Sequence, residues 1–314
     1  CGGGNYDTQP FRKAGVRVLE LEDNYPFHEQ HTPADVAEIV NPGSLQQLGE
    51  QALAVTRELS SLDLGNTRGE QQTYMYVPLI GLAHYPERWA LPLAILAALL
   101  LFTALGLVLW RKLASWRGLG VALLALLVTA GVAFLVVNLV WKAAPGWLHW
   151  ETRRWHDWPE VIPPHGWLIL VLTDLFVLAL MVFVYRLARR WSEGVNFSLL
   201  GLFIFLLLAV ALALSTPRAA ILFTWPVLVG AVAWLAVGIL LRKRSPGSQP
   251  YSWVVELGAL LAAIPCVIYL LPMLPAIFMS DGTLSTAIMS AIFPIMLGIL
   301  LPAVDGLFVR NNQP

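Results

Sequence analysis

The sequence predicts a polytopic α-helical membrane protein of about seven spans, preceded by a polar α/β head. Of its 314 residues 57% are hydrophobic and only 13% are charged, roughly half the charge of a typical soluble domain. Residues 1–88 hold 6 Lys and Arg against 12 Asp and Glu, whereas the remaining residues hold 14 against 8. From Trp89 onward, apolar stretches recur that are long enough to cross a bilayer. An ordinary soluble enzyme, a disordered chain and a nucleic-acid binder with a basic face are therefore excluded.

The head begins with a predicted strand at residues 15–21 (GVRVLEL), which follows a glycine turn. Residues 31–40 (HTPADVAEIV) predict the start of a helix. Thr32 is suited to cap it, Pro33 to occupy its first position, and Asp35 stands where a capping-box acid would.

A second helix is predicted to begin at Ser44, with one apolar stripe along it. The stripe consists of Leu45, Leu48, Ala52, Val55, Leu59 and Leu62. One strand and two helices do not close a core, because a lone strand leaves both of its edges unpaired. The head is therefore expected to complete a larger α/β domain whose earlier part precedes residue 1.

The membrane body follows as a series of helices, since bare backbone cannot face lipid. Its spans are predicted at residues 89–110, 118–141, 167–186, 198–215, 219–241, 253–275 and 285–304.

The distribution of Lys and Arg predicts the orientation of these spans. Ten of these residues lie in one set of connections and in the C-terminal tail, against four in the alternate set. The ten are Arg111, Lys112, Arg117, Arg186, Arg189, Arg190, Arg242, Lys243, Arg244 and Arg310, and the four are Lys142, Arg153, Arg154 and Arg218. By the positive-inside rule the C-terminus is cytoplasmic, and residues 1–88 are extracytoplasmic, in a periplasm or a lumen.

Two features of the membrane body leave alternatives open. The connection at residues 146–167 is rich in tryptophan, which favours a segment lying at the membrane interface; an aromatic lip that gathers substrate is the alternative. Asp174 lies inside the third span, where a charge costs roughly 2.5–3.5 kcal/mol on insertion scales. It is either a protonated or hydrogen-bonded structural residue or part of an ion or proton path, and only Glu256 accompanies it.

The runs YDTQPFRKAGVRVLELED, HTPADVAEIV and SLQQLGEQALAVTREL, in this order, resemble the last third of the aminopeptidase-type dizinc peptidases (peptidase family M twenty-eight). The following YMYVPLIGLAHYPERWA is similar to their membrane-bound branch, typified by endoplasmic-reticulum and vacuolar membrane metallopeptidases. The resemblance covers residues 5–62 and, less closely, 71–110. It implies that residues 1–70 are the C-terminal part of an α/β zinc-exopeptidase domain, that 71–88 are a linker and that 89–310 form the transmembrane helical domain.

The resemblance also implies roles for particular residues. The His of the family's His-Thr-x-x-Asp motif is the final ligand of a two-zinc site, which makes His31 the expected zinc ligand. Asp35 matches the motif Asp, and either caps the helix or supports the ligand imidazole through a hydrogen bond. Gln30 stands where the family often has a Tyr that stabilises the tetrahedral intermediate, and its amide could donate to an oxyanion. The other metal ligands and the general-base Glu are expected upstream of residue 1.

The function that the resemblance implies is that of a membrane-anchored zinc metallopeptidase, expected to be an aminopeptidase, which hydrolyses peptides on the extracytoplasmic side. In such enzymes zinc polarises the scissile carbonyl and supplies a bound hydroxide. The expected partners are a peptide substrate, the lipid bilayer and the upstream part of the same domain, and no nucleic acid. Two alternatives stay open: a non-catalytic membrane protein with a degenerate peptidase-like binding domain, and a transporter with a sensing domain.

Overall fold

The computed structural model divides the chain into two compact units, Cys1–Gly69 and Glu70–Pro314. It describes residues 9–16, 18, 36–62, 70–77, 81–147, 153–155, 158–160, 166–241, 253–271 and 287–304.

The described part of the first unit is helical. It holds α1 (Gln9–Lys13), a 3₁₀ turn at Ala37–Ile39 and α2 (Pro42–Ser61). Most of the predicted strand at 15–21 lies outside the described residues. So does the first half of the predicted helix at 31–40, whose second half forms only the 3₁₀ turn, because the chain must become extended before Pro42.

Helix α2 begins two residues before the predicted start at Ser44, and its N-cap explains the difference. The side-chain Oδ1 of Asn41 accepts hydrogen bonds from the backbone N–H of Gly43 at 2.8 Å and of Ser44 at 3.4 Å. Pro42 occupies the first helical position, where its missing N–H has no cost. Asn41 therefore satisfies the orphan donors of the first turn.

The second unit opens with a β hairpin in residues 71–88, the segment predicted as a linker. Strand β1 (Gln72–Val77) pairs antiparallel with β2 (Gly81–Pro86), with Thr73 opposite Tyr85. Thr73 and Met75 are buried whereas Tyr74 between them is exposed. This alternation with a period of two is what a sheet with one covered face requires.

The described residues that follow include seven helices long and apolar enough to cross a membrane, so the chain is a multi-pass helical membrane protein. They are α3 (Ala90–Trp110), α4 (Trp116–Trp147), α5 (Gly166–Ala188), α6 (Gly194–Ser215), α7 (Pro217–Leu240), α8 (Trp253–Pro265) and α9 (Ala287–Val304). A π-helical turn at Cys266–Leu270 extends α8 beyond Pro265. Each of the seven predicted spans overlaps one of these helices.

Successive helices run in opposite directions, so the bundle has two ends. The end that holds residues 70–89 and 215–218 is called the hairpin end. There Tyr85 packs on a cluster of alanines from the start of α3, the end of α6 and the start of α7. The opposite end, which holds residues 111–117 and 188–196, is called the basic end. There the backbone N–H of Ser115 donates to Asn196.

The core of the bundle lies between α3, α6, α7, α8 and α9. Helix α3 buries one face, on which four of the six residues are alanines and the spacings alternate between four and three: Ala90, Ala94, Ala97, Leu101, Ala104 and Val108. This seam allows α3 and α7 to approach closely along their length. Between α6 and α7, the indole N–H of Trp234 donates to Ser198 Oγ at 3.0 Å, a buried hydrogen bond that satisfies the indole.

Helices α4 and α5 pack at the side of this core. Near the basic end, Ala122, Tyr185, Phe197 and Leu301 join α4, α5, α6 and α9 in a second apolar cluster. The connection between α4 and α5 contains a short antiparallel pair, β3 (Arg153–Trp155) with β4 (Trp158–Glu160). Its side chains lie outside the described residues, so the interfacial role of residues 146–167 stays a prediction.

Candidate functional site

The residues predicted to form the peptidase site, Gln30, His31 and Asp35, lie outside the described part of the chain, as does His28. Within the described ranges, no three His, Cys, Asp or Glu side chains converge. A catalytic zinc needs about three protein ligands and an open position. The described residues therefore do not supply a zinc site by themselves.

Helix α2 follows the predicted site residues directly, and its apolar stripe is incompletely covered. Leu45 and Leu62 are 61% and 50% exposed, and Leu59 is exposed as well. Leu48, Ala52 and Val55 are only half-buried. An amphipathic helix gains its stability mainly by packing its apolar face. Within the described residues this face has no complete partner.

Asp174 lies in α5, eight residues from the start of that helix at the hairpin end. It is half-buried, and its Oδ1 has no hydrogen-bond partner among the residues that the structure describes. The neighbouring Thr173 hydroxyl donates to the Leu170 carbonyl at 2.8 Å instead. Glu256 lies in the first turn of α8, at the basic end, so the two carboxylates predicted within the membrane body do not form a pair.

A polar cluster that the sequence analysis missed lies under the β hairpin at the hairpin end. Gln72 Oε1, Thr73 Oγ1 and Tyr85 Oη are all buried, and none has a hydrogen-bond partner within the described ranges. Burial raises the pKa of Tyr85 above its ordinary value of 10.0, and the nearby Thr73 side chain acts in the opposite direction. The cluster forms because the register of the hairpin places Thr73 opposite Tyr85. The sequence alone does not contain this register.

Two ion pairs stabilise the same end of the bundle. Arg218, in the first turn of α7, pairs with the carboxylate of Glu87, which directly precedes α3. Arg88 pairs with Glu70 at 3.0 Å, but both side chains are largely exposed, so this pair contributes little. The Glu87 side chain is mostly buried, so its pair with Arg218 is the stronger constraint and ties the starts of α3 and α7 together.

Hydrogen bonds also join two loops at the basic end, in what we call the basic-end junction: Ser115, Gly118, Ser192 and Asn196. Asn196 Oδ1 accepts from the backbone N–H of Ser115 at 3.1 Å, and Ser192 Oγ donates to the Gly118 carbonyl at 2.8 Å. A β-carbon on Gly118 would stand 2.5 Å from Asn196 Nδ2, so only glycine fits. Sequence reasoning did not find this junction, because Ser115 and Asn196 are 81 residues apart.

The junction positions a group of cations. Arg111, Lys112 and Arg117 flank Ser115 in the connection between α3 and α4, and Arg186, Arg189 and Arg190 precede Ser192. The guanidinium of Arg111 lies over the ring of Trp110 at 4.7 Å from its centroid. The described structure thus brings together two of the basic connections on which the predicted orientation depends.

Comparisons of this chain with models of protein families, with curated proteins and with solved structures find no match. What the structure shows is a multi-pass helical bundle with a hairpin end and a basic end.

Proposed function

We propose that this chain belongs to a membrane-anchored zinc metallopeptidase, an aminopeptidase, in which residues 1–69 end the catalytic domain and the helical bundle anchors it. The order of the motifs supports this proposal: His31-Thr32 and Asp35 precede a long amphipathic helix, and many spans follow. His31 is then one zinc ligand, and the remaining ligands come from the rest of the same domain.

The observation that carries the proposal is the incompletely covered apolar stripe of α2. Three of its leucines are exposed, which is costly in water and is expected when a helix packs against a further part of its domain. Asn41 fixes the start of this helix six residues after Asp35. In the proposed domain, this helix would support the segment that carries His31, because it begins so soon after Asp35 in the sequence.

The proposed orientation places the basic end in the cytoplasm and residues 1–88 on the extracytoplasmic side. Six of the ten cations that predict this orientation lie in the described connections at the basic end. Lys142, Arg153, Arg154 and Arg218 lie towards the hairpin end, where Arg218 pairs with Glu87. Positively charged connections favour the cytoplasmic side, so substrate peptides would meet the head outside the cytoplasm.

A transporter is less well supported. Ion paths through membranes usually hold several ionisable groups that pair or relay. In the described spans Asp174 is without a second carboxylate at its depth, and Glu256 lies at the opposite end of the bundle. A degenerate head that binds partners remains the other alternative, and metal content distinguishes it from the enzyme.

The test is made on the protein with its complete head. His31→Ala should lower the bound zinc, measured by elemental analysis, and hydrolysis of aminoacyl anilides should fall with it. His28→Ala is the matched control, because it removes an imidazole three residues away that is not expected to bind zinc. Parental zinc content and parental activity in His31→Ala would overturn the assignment. A protein that binds no zinc would favour the degenerate head.

A further inference from the structure

Four cations at the basic end have no carboxylate partner among the residues that the structure describes. We call this group the basic collar: Arg111, Lys112, Arg117 and Arg190. The described carboxylates near this end are Glu193 and Glu256, and neither forms an ion pair with a member of the collar. Within the described part of the chain, the collar therefore carries positive charge that no ion pair neutralises.

The basic-end junction makes the collar one surface instead of two separate loops. Its hydrogen bonds run from Ser115 to Asn196 and from Ser192 to the Gly118 carbonyl, and the Ser192 hydroxyl is buried. Arg111, Lys112 and Arg117 lie on one side of these bonds and Arg190 on the other. Because these bonds fix the backbone between the two connections, all four cations are held at one end of the bundle, which lowers the cost of ordering them around a ligand.

Arg111 adds an observation that itself points to an anionic ligand. Its Nε is buried and has no hydrogen-bond partner within the described ranges, although the guanidinium lies over Trp110. Arg111 as a whole is only half-buried, and phosphate oxygens are among the acceptors that guanidinium groups bind most strongly. With no carboxylate partner among the described residues, the Arg111 guanidinium is therefore available to an anion from outside the chain.

Lys112 adds a second observation. It has φ of 61°, in the left-handed region, at the end of α3. Its N–H donates to the Leu109 carbonyl and the N–H of Leu113 donates to the Val108 carbonyl, both at 3.0 Å. This is the Schellman arrangement, in which glycine is usual because other residues are strained. A lysine at this position carries strain that glycine would avoid, while it adds a charge to the collar.

Three tryptophans indicate the depth at which the collar lies. Trp110, Trp116 and Trp191 are 60%, 75% and 52% exposed, and each is next to a member of the collar in sequence. Exposed indole rings favour the headgroup level of a bilayer. The collar thus lies at the depth of the lipid phosphates, which favours a lipid over a phosphate ion from solution.

We propose that the basic collar binds the phosphate of an anionic glycerophospholipid, held between the α3–α4 connection and the α5–α6 turn. The Arg111 guanidinium donates to the phosphate oxygens, and Lys112, Arg117 and Arg190 add electrostatic attraction. Trp110, Trp116 and Trp191 contact the glycerol and the upper part of the acyl chains. This site does not depend on the proposed peptidase activity.

The experiment measures lipid retained by the purified full chain, by native mass spectrometry after exchange into detergent with dioleoyl phosphatidylglycerol or dioleoyl phosphatidylcholine. The wild type should retain phosphatidylglycerol in preference to phosphatidylcholine. Lys112→Gln and Arg117→Gln change exposed side chains, and each should weaken retention of phosphatidylglycerol about five-fold. Lys142→Gln, which removes an exposed cation from the far end of α4, should leave retention unchanged.

Two results would overturn the proposal. If the two collar variants retain phosphatidylglycerol as the wild type does, the collar does not bind it. If millimolar inorganic phosphate displaces phosphatidylglycerol completely and raises thermal stability as much as the lipid does, the site binds free phosphate and the lipid assignment is wrong. Arg111→Gln, read by the same retention assay, should show the largest loss because its guanidinium contacts the phosphate.

Discussion

Gly201 on α6 lies so close to Ile295 on α9 that a β-carbon at Gly201 would stand 2.9 Å from the Ile295 carbonyl oxygen. It would also stand 2.9 Å from Cγ1 of Ile299, one turn further along α9. The first of these atoms belongs to the backbone, so a rotamer change cannot relieve the clash. The absence of a side chain at Gly201 therefore sets the distance between the two helices.

Replacing this glycine should destabilise the bundle. We expect Gly201→Ala to lower the free energy of unfolding by roughly 1–3 kcal/mol, because overpacking forces the helices apart. Unfolding by a denaturing detergent, followed by circular dichroism, provides the measurement. Gly106→Ala on α3 is the control, since its β-carbon would meet nothing within 4 Å. Equal stability of the two variants would contradict the close approach.

The hydrogen bond from Trp234 to Ser198 should couple α6 to α7. Ser198→Ala leaves the buried indole N–H without its acceptor, and such bonds between membrane helices are worth about 0.6 kcal/mol on average and up to about 1.7. Trp234→Phe removes the donor, so Ser198→Ala should lower the free energy of unfolding by less in a protein that already carries Trp234→Phe than in the wild type. A double-mutant cycle measures the difference. A coupling energy of zero would mean that the two side chains do not interact.

Tyr85 should make stability depend on pH in the alkaline range. Its pKa is raised in the folded state by burial, so the phenol resists ionisation there but ionises near pH 10 in the unfolded chain. Stability is therefore intact below about pH 10 and decreases as the pH rises towards the folded pKa. Tyr85→Phe should lose less stability between about pH 9 and 11, as followed by thermal unfolding. Identical pH profiles would show that folding does not raise the pKa of Tyr85.

The orientation is tested by labelling single cysteines in intact cells. In a chain with Cys1→Ser, whose Cys266 is buried, a membrane-impermeant maleimide should modify Ser61→Cys. It should modify Ser245→Cys only after permeabilisation, because residue 245 follows α7 at the basic end. The reverse pattern would place the head in the cytoplasm and remove the basis of an extracytoplasmic peptidase.

The spans could be predicted from the sequence because length and apolar composition alone decide whether a helix can cross a bilayer. The hairpin could not, since β1 has only 6 residues and its alternation at Thr73 and Met75 is too short to separate from an irregular segment. The start of α2 lies two residues before the predicted Ser44, because Asn41 supplies the cap and Pro42 occupies the first helical position.

The polar sites depend on contacts between residues that are far apart in the sequence. The spacing of apolar residues along the chain carries no information about such contacts. Thr73 and Tyr85 meet only through the hairpin register, and Ser115 and Asn196 only through the packing of α4 on α6. Asp174 could be found, since one carboxylate in an apolar run is conspicuous. Its unpaired oxygen is a property of the packed structure alone.

The burial of α6 and α7 has a consequence for how the protein can change. More than half of each is covered by other helices, whereas α3 and α5 present most of their surface outward to lipid. During insertion each helix must first partition into lipid on its own hydrophobicity. Of the described spans, α6 and α7 then exchange the largest share of that lipid for protein. Polar side chains such as Ser198 can therefore accumulate on these two helices where a partner satisfies them. New chemistry within the membrane is most readily acquired there, while the outer faces of α3 and α5 must stay apolar.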